Sequence, residues 1–124
     1  MGIPTMMAGS IRNILLGAIE VKRDEFKSGK SIDTIIEELK NDGFSEHNIK
    51  RIAVEVQDKP IPDDFDSDII KDSYNIKENT VKLILCESLG LKIQDVVRFK
   101  GRDWVVQQIN EFGNECEMLI KFYG

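Results

Sequence analysis

Three aspartates at alternate positions, Asp64, Asp66 and Asp68, have the most suggestive chemical spacing in this chain. Carboxylates at such intervals begin an EF-hand calcium loop, in which a glycine at the sixth position and a glutamate at the twelfth complete the geometry. Counted from Asp64, these two positions hold Ile69 and Asn75. The spacing therefore predicts an acidic, solvated segment and no metal site.

The other residue types that commonly carry catalysis are few and far apart. His47 is the only histidine, and we expect a surface or capping residue because it stands in a polar turn without a serine-nucleophile context. Cys86 and Cys116 show no C-x-x-C spacing, and we expect two small buried apolar side chains, with a disulfide between neighbouring strands as the alternative. No glycine-rich phosphate loop is present. We therefore expect no catalytic residues, no metal and no cofactor, in a protein that is not an enzyme.

The negative charge of the chain is concentrated in one short segment. The formal net charge is −5, and residues 58–76 hold six acidic side chains against two basic ones. The candidate contact residues of this segment are Asp58, Asp63, Asp64, Asp66, Asp68 and Asp72. No basic stripe that could neutralise phosphates is visible, which disfavours duplex DNA as the main ligand. No apolar run approaches the ~18 residues that cross a bilayer, so we expect no membrane partner.

The N-terminal region is patterned as helices. Apolar residues recur at helical spacing across Ser10–Phe26 and again across Ser31–Asn41. Gly43 then stands where a left-handed residue ends a helix, and Ser45 can cap a short third turn. The pattern predicts a helical hairpin. Its candidate interface residues are Ile11, Arg12, Leu15, Lys50 and Arg51.

A second interpretation of this region is a helix-turn-helix over Thr34–Ile52. In that arrangement Lys50 and Arg51 would face DNA. The charges around the turn balance close to zero, whereas DNA-binding surfaces are basic. We therefore favour a helical hairpin that binds no DNA.

A change of period after the helices predicts the first strand. Apolar residues alternate across Ile52–Val56, as they do on one face of a strand. Pro60 and Pro62 end this strand, because proline has no N–H for a sheet ladder. The acidic residues 58–76 then form a long loop between this strand and the next.

From Thr80 onward the chain predicts a β-meander of four strands. Alternation is clearest in Thr80–Cys86 and Cys116–Tyr123, with Val96–Lys100 and Trp104–Ile109 between them. The predicted core residues are Val97, Phe99, Trp104, Met118 and Ile120. For Trp104, an exposed anchor at a protein interface is the alternative to a core position.

Together these patterns predict an α+β fold. A helical region at residues 1–51 precedes a small antiparallel β-barrel or sandwich at residues 52–124, with a long inter-strand loop at residues 58–76. The length of 124 residues is that of a single compact domain. A hydrophobic content of 41% and a charged content of 31% are those of an ordinary soluble globular protein.

Two runs in the C-terminal half, Asn79–Leu89 and Leu91–Ile109, carry a resemblance to a known family. Residues 94–97 match a G-D-x-[VL] step, with Gln94 where glycine is usual, and Trp104–Ile109 matches an aromatic residue followed by V-x-x-[VI]. This order of elements resembles the head–tail joining proteins (stoppers, or head-completion connectors) of long-tailed phages and defective prophages. Val54–Phe65 also looks like the first strand and long loop of that family.

The resemblance implies a ring-forming connector at the virion neck. Copies would form a cyclic homo-oligomer between the portal or adaptor protein and the tail terminator or tail tube protein, with packaged DNA passing through the channel. Assembly would take place in the host cytoplasm. A loop at residues 58–76 that faced the channel would repel the DNA backbone through its carboxylates. Residues 28–50 depart from compact family members and are expected to form an added docking helix.

The same sequence features are compatible with two other functions. One is a different phage component on a similar β-domain, such as a tail terminator or a baseplate piece. The other is a helix-turn-helix regulator fused to a β-domain, whose affinity for duplex DNA would fall steeply with salt.

Overall fold

Three helices precede a five-stranded antiparallel sheet, and the predicted α+β fold class is confirmed. The computed structural model describes the backbone of residues 8–122 and the side chains of residues 11 and 13–122. The helices are α1 (Ala8–Lys27), α2 (Ile32–Asn41) and α3 (Glu46–Val56). The strands are β1 (Ile70–Lys77), β2 (Thr80–Leu85), β3 (Val96–Phe99), β4 (Arg102–Phe112) and β5 (Glu115–Phe122).

The chain divides into two compact units, with the boundary between Ile61 and Pro62. The first, called here the helical unit, contains α1 to α3, and the second, called the β-unit, contains the whole sheet. We had expected one compact domain with a boundary near residue 52. That position lies inside α3, so the boundary falls ten residues later.

Helix α3 replaces the first strand that the sequence predicted, and that prediction is wrong. Ser45 caps the helix, because its Oγ accepts a hydrogen bond from the backbone N–H of Asn48 at 3.2 Å. Ile49, Ile52 and Val56 are buried at helical spacing. The run Ile52–Val56 satisfies both a period of two and a period of 3.6, and packing of α3 against α1 and α2 selects the helix.

A network of four charged side chains links α1 to α2 in the helical unit. Nζ of Lys22 and Nζ of Lys30 lie 3.1 and 3.0 Å from the Glu38 carboxylate. The same two ammonium groups lie 3.1 and 3.2 Å from Glu25. Hydrogen bonds from Lys30 and then Lys22 lower the pKa of Glu38, and those from Lys22 and then Lys30 lower the pKa of Glu25.

The sheet is curled into a half-barrel with the strand order β1-β2-β5-β4-β3. A meander would place β3 beside β2, so the predicted meander is wrong in this respect. Instead β5 lies between β2 and β4, with Leu83 opposite Met118 and Val106 opposite Ile120. The ten residues between β2 and β3 allow this order, because a tight turn would have forced the two strands to pair.

Strand β1 occupies part of the sequence that we predicted to be a loop. Its residues pair antiparallel with β2 over Ile70–Lys77, so the irregular segment covers only residues 57–69. Every β1 residue after Ile70 is exposed, because β1 is an edge strand that contributes little to the core. Ile70, Tyr74 and Ile76 do alternate with polar residues, but Asp72 interrupts the pattern and the strand follows an acidic run, so the sequence was interpreted as a loop.

The core of the β-unit lies on one face of the sheet. It contains Val97, Phe99, Trp104, Met118 and Ile120, which are the five residues predicted from the sequence. Trp104 is 8% exposed, and its indole N–H donates a hydrogen bond to the Phe99 carbonyl at 3.0 Å. Trp104 therefore fills the core rather than serving as an exposed anchor.

Candidate functional site

The six aspartates of residues 58–76 do not form one cluster. Asp58 belongs to the helical unit, where it follows α3 with a φ of +54°, a backbone conformation that aspartate tolerates. Its carboxylate lies 3.4 Å from Nε of Arg23 on α1. Both residues line an open groove of about 580 Å³ together with Leu16 and Glu55. Asp58 thus pairs within its own unit.

Asp63, Asp64 and Phe65 attach the irregular segment to the edge strand β3. The backbone N–H of Asp64 donates to the Arg98 carbonyl at 2.8 Å, and the Asp64 carboxylate accepts from the Arg98 N–H at 2.6 Å. The Asp63 carboxylate accepts from the Gly101 N–H at 3.3 Å. Phe65 is 3% exposed and packs edge-on against Phe99. These contacts close β3 at Arg98.

Asp66, Asp68 and Asp72 are exposed, and their hydrogen-bond partners differ. One oxygen of Asp66 accepts from the N–H groups of Asp68 and Ile69, at 3.0 and 3.1 Å, which forms a local turn just before β1. Asp72 lies within β1, and its carboxylate accepts from the Tyr74 hydroxyl at 2.6 Å. Asp66 and Asp68 therefore stand at the entrance to β1, and Asp72 lies in the strand itself.

The predicted interface residues of the helices separate into buried and exposed groups. Ile11 and Leu15 are 1% and 3% exposed, so their side chains lie in the core rather than on a contact surface. Lys50 is exposed. The side chain of Arg12 lies outside the described residues. Only Lys50 among the described members of this set is placed to meet a partner.

Arg51 speaks against the helix-turn-helix interpretation. Its side chain is buried, and its guanidinium group donates two hydrogen bonds to the Glu55 carboxylate, at 3.2 and 3.1 Å. A DNA-reading arginine must reach the groove of the duplex. Burial in the helical unit therefore removes Arg51 from the role that this interpretation gave it.

The two cysteines and the histidine differ in their surroundings. Cys116 is buried, whereas Cys86 is exposed, which corrects the expectation that both are buried. No disulfide joins them. Burial raises the pKa of the Cys116 thiol, with a smaller contribution from Glu111. His47 is half-buried in the first turn of α3, two residues after the capping Ser45.

Gln94 occupies a backbone position that favours glycine. Its φ is +76°, and its N–H donates to the Val106 carbonyl at 2.9 Å, so the strained residue fixes the entry to β3. The next residue, Asp95, is buried, and its carboxylate accepts from the Lys92 N–H at 2.8 Å. The glycine expected at residue 94 on the family pattern would therefore suit this conformation better than glutamine.

Replacing Gln94 with glycine is expected to raise the free energy of unfolding of the β-unit by about 0.5–1 kcal/mol, because glycine adopts positive φ without a Cβ clash. Urea unfolding followed by Trp104 fluorescence measures this change. The same replacement at Gln108, within β4, should lower the free energy by a similar amount. Equal changes at the two positions would contradict the assignment of strain to Gln94.

Among the described residues, cations and carboxylates without an ion pair are unevenly distributed between the two ends of the sheet, although Asp63 and Glu78 lie at the same end as the cations. One end, called here the basic end, carries Lys77, Lys100 and Arg102, and in the described part of the chain none of these has a carboxylate at ion-pair distance. Other cations of the sheet are paired, such as Lys82 with Glu117. The sequence missed this arrangement, because acidic and basic residues are interspersed along the chain.

The opposite end of the sheet, called here the acidic end, carries a groove of about 450 Å³. The carboxylates of Glu87, Glu111 and Glu115 line this groove, beside the β4–β5 turn at Gly113. Glu111 accepts a hydrogen bond from the Ser88 hydroxyl at 2.7 Å, and Glu115 pairs with Lys71. Glu87 and Glu111 have no cation at ion-pair distance among the described residues. The groove is therefore an acidic depression.

Three further properties bear on function: membrane-spanning helices, metal-binding groups and similarity to known proteins. Among residues 8–122, no helix is both long and apolar enough to span a membrane. Within the same residues, no group of three or more histidine, cysteine, aspartate or glutamate side chains is arranged to hold a metal ion. Comparison of the chain with protein-family models, with curated proteins and with solved structures found no match.

Proposed function

We propose that this chain is a ring-forming connector, or stopper, of a phage neck, which joins the portal or adaptor ring of the DNA-filled head to the tail. The observation that carries the proposal is the position of the two resembling runs in the fold. Asn79–Leu89 contains β2, and Leu91–Ile109 contains β3, its turn and most of β4. The likeness therefore coincides with a structural body rather than with isolated turns.

The construction of the β-unit supports this role. A connector must keep its shape while neighbours press on several of its surfaces. The β-unit has a continuous apolar core, and its β3 edge is closed by Asp64. Closing an edge blocks unwanted pairing of strands between copies. At the β3 edge the unit therefore suits association through side chains rather than through extension of the sheet, and β1 forms the other edge.

Exposed carboxylates near β1 support a position close to packaged DNA. Asp66, Asp68 and Asp72 are exposed, whereas Asp64 is half-buried and bonds within the unit. If the exposed set faces the channel, its charge repels the phosphates and lets the DNA pass without sticking. A map of the assembled ring that placed Asp66 and Asp68 on the outer rim would overturn this part of the proposal.

Electron microscopy of the protein mixed with its portal tests the proposal. We expect a ring of extra density on the tail-facing side of the portal, and a matching increase in mass by light scattering. The portal alone and the protein alone are the controls. Genes for a portal and a major capsid protein beside this one would identify the portal to use.

A different outcome would identify the alternative function. A tail terminator or baseplate piece would bind tail tubes and leave portal rings unchanged. A chain that joins neither portal nor tail complexes would overturn both phage assignments.

A further inference from the structure

We infer that the β3–β4 turn of one copy docks in the acidic groove of a second copy. The turn presents Lys100 and Arg102, and the groove is lined by Glu87, Glu111 and Glu115. This inference rests on the proposed function, for which it supplies the contact between neighbours in the ring. It names the surface, its partner and the chemistry that joins them.

Strand directions place the two surfaces at opposite ends of the sheet. Phe99 pairs with Arg102 at the basic end, and Phe112 pairs with Glu115 at the acidic end. The eleven residues of β4 join these ends, which separates them by ~35 Å at about 3.3 Å per residue. A single copy therefore cannot bring its own turn to its own groove.

The cations of the turn are held in place without being neutralised. Nζ of Lys100 lies 5.3 Å from the centre of the Phe99 ring, and the Arg102 guanidinium lies 5.1 Å from that of Phe122. Aromatic contacts orient a cation and leave its hydrogen-bond donors available. Lys77 lies at the same end and adds a third charge.

The acidic end supplies the complementary charge. Glu87 and Glu111 have no cation at ion-pair distance in the described part of the chain, and they line a depression of about 450 Å³ that is open to approaching cations. Complementary charges on two surfaces raise the rate and the specificity of association.

Charge restricts the symmetry of the contact. An end-to-end two-fold contact would place like charges together, whereas a side-by-side antiparallel two-fold dimer would place each basic end against the partner's acidic end. A head-to-tail contact places unlike charges together and, when the rotation closes, gives a ring. The segregated charges of the β-unit therefore favour contacts between unlike ends, and the proposed connector function selects the ring over the antiparallel dimer.

A pair of charge-reversal variants tests the contact. We expect K100E/R102E and E87K/E111K each to weaken self-association about tenfold or more, measured by sedimentation equilibrium at low salt. An equimolar mixture of the two variants should recover association to within about threefold of the unchanged protein. The mixture restores unlike charges at every contact, and misfolded variants could not do so.

Three controls test whether the effect is specific to the proposed contact. K27E/K40E changes the net charge as much as K100E/R102E, at exposed lysines of the helical unit, and should leave association within about twofold. Salt of about 0.5 M should weaken association of the unchanged protein about tenfold, because it screens exposed charges. Addition of duplex DNA should not compete with self-association.

Failure of this contact can be told apart from failure of the connector. A protein that stays monomeric at low salt, a mixture that does not recover, or a basic end that binds duplex DNA instead of a second copy would each overturn the contact. If association recovers in the mixture but the protein does not bind the portal, the contact is supported and the connector function is refuted.

Discussion

Replacing Leu83 with alanine is expected to lower the free energy of unfolding of the β-unit by about 3 kcal/mol. Leu83 has 0% exposure and pairs with Met118 in the middle of the sheet. The loss combines the transfer free energy of the removed carbons with the cost of the cavity they leave, because close-packed neighbours relax only partly. Trp104 lies in the same core, so urea unfolding followed by its fluorescence measures this unit.

Ile93→Ala is the matched control for Leu83→Ala. Both substitutions remove the same number of carbon atoms from the β-unit, but Ile93 is 59% exposed. We expect the control to change the free energy of unfolding by no more than about 0.5 kcal/mol. Equal losses for the two variants would contradict the assignment of Leu83 to the core.

Replacing Asp64 with alanine is expected to lower the free energy of unfolding of the β-unit by about 2 kcal/mol. The Asp64 carboxylate accepts from the Arg98 N–H at 2.6 Å in a half-buried position. Its removal leaves that N–H without this charged acceptor and reopens the β3 edge. An opened edge can pair with other chains, so we also expect faster aggregation on mild heating, measured by light scattering.

Two variants distinguish the loss of the Asp64 hydrogen-bond acceptor from the loss of one negative charge. Asp63→Ala removes the same charge from the neighbouring residue, whose carboxylate is exposed and lies 3.3 Å from its donor, and should cost no more than about 0.5 kcal/mol. Asp64→Asn keeps an acceptor and should cost about half as much as Asp64→Ala. Equal costs for Asp63→Ala and Asp64→Ala would show that net charge, rather than closure of β3, stabilises the unit.

The sequence alone predicted the elements that bury one face. Helix α2 has a regular apolar stripe, and Ser31 caps it by accepting from the Thr34 N–H at 3.2 Å. Strands β2 and β5 alternate buried and half-buried residues along most of their length. In both cases the period of the apolar residues matches the geometry of the element, so local pattern suffices.

The sequence did not correctly predict two elements. One is the exposed strand β1, and the other is α3, whose run Ile52–Val56 fits two periods. Strand β1 is exposed after Ile70 and acquires its extended form from pairing with β2. The run Ile52–Val56 fits a strand and a helix equally, and the cap at Ser45 with burial of Ile49 decides for the helix. For Ile52–Val56 local sequence could not decide, because the deciding contacts come from other elements. For β1 the alternation of Ile70, Tyr74 and Ile76 was present but was outweighed by the acidic, turn-rich composition around it.

The candidate site depended on tertiary structure more than the fold did. The sequence by itself determined an α+β chain with an apolar β-core, an acidic segment and a C-terminal half that resembles a family of phage connectors. Tertiary structure decided that Asp64 closes β3 and that Arg51 is buried. It also gathers, at opposite ends of one sheet, cations and glutamates that have no ion pair among the described residues. The reason is physical. Alternation fixes which face a residue takes, whereas strand order and register fix which distant residues become neighbours.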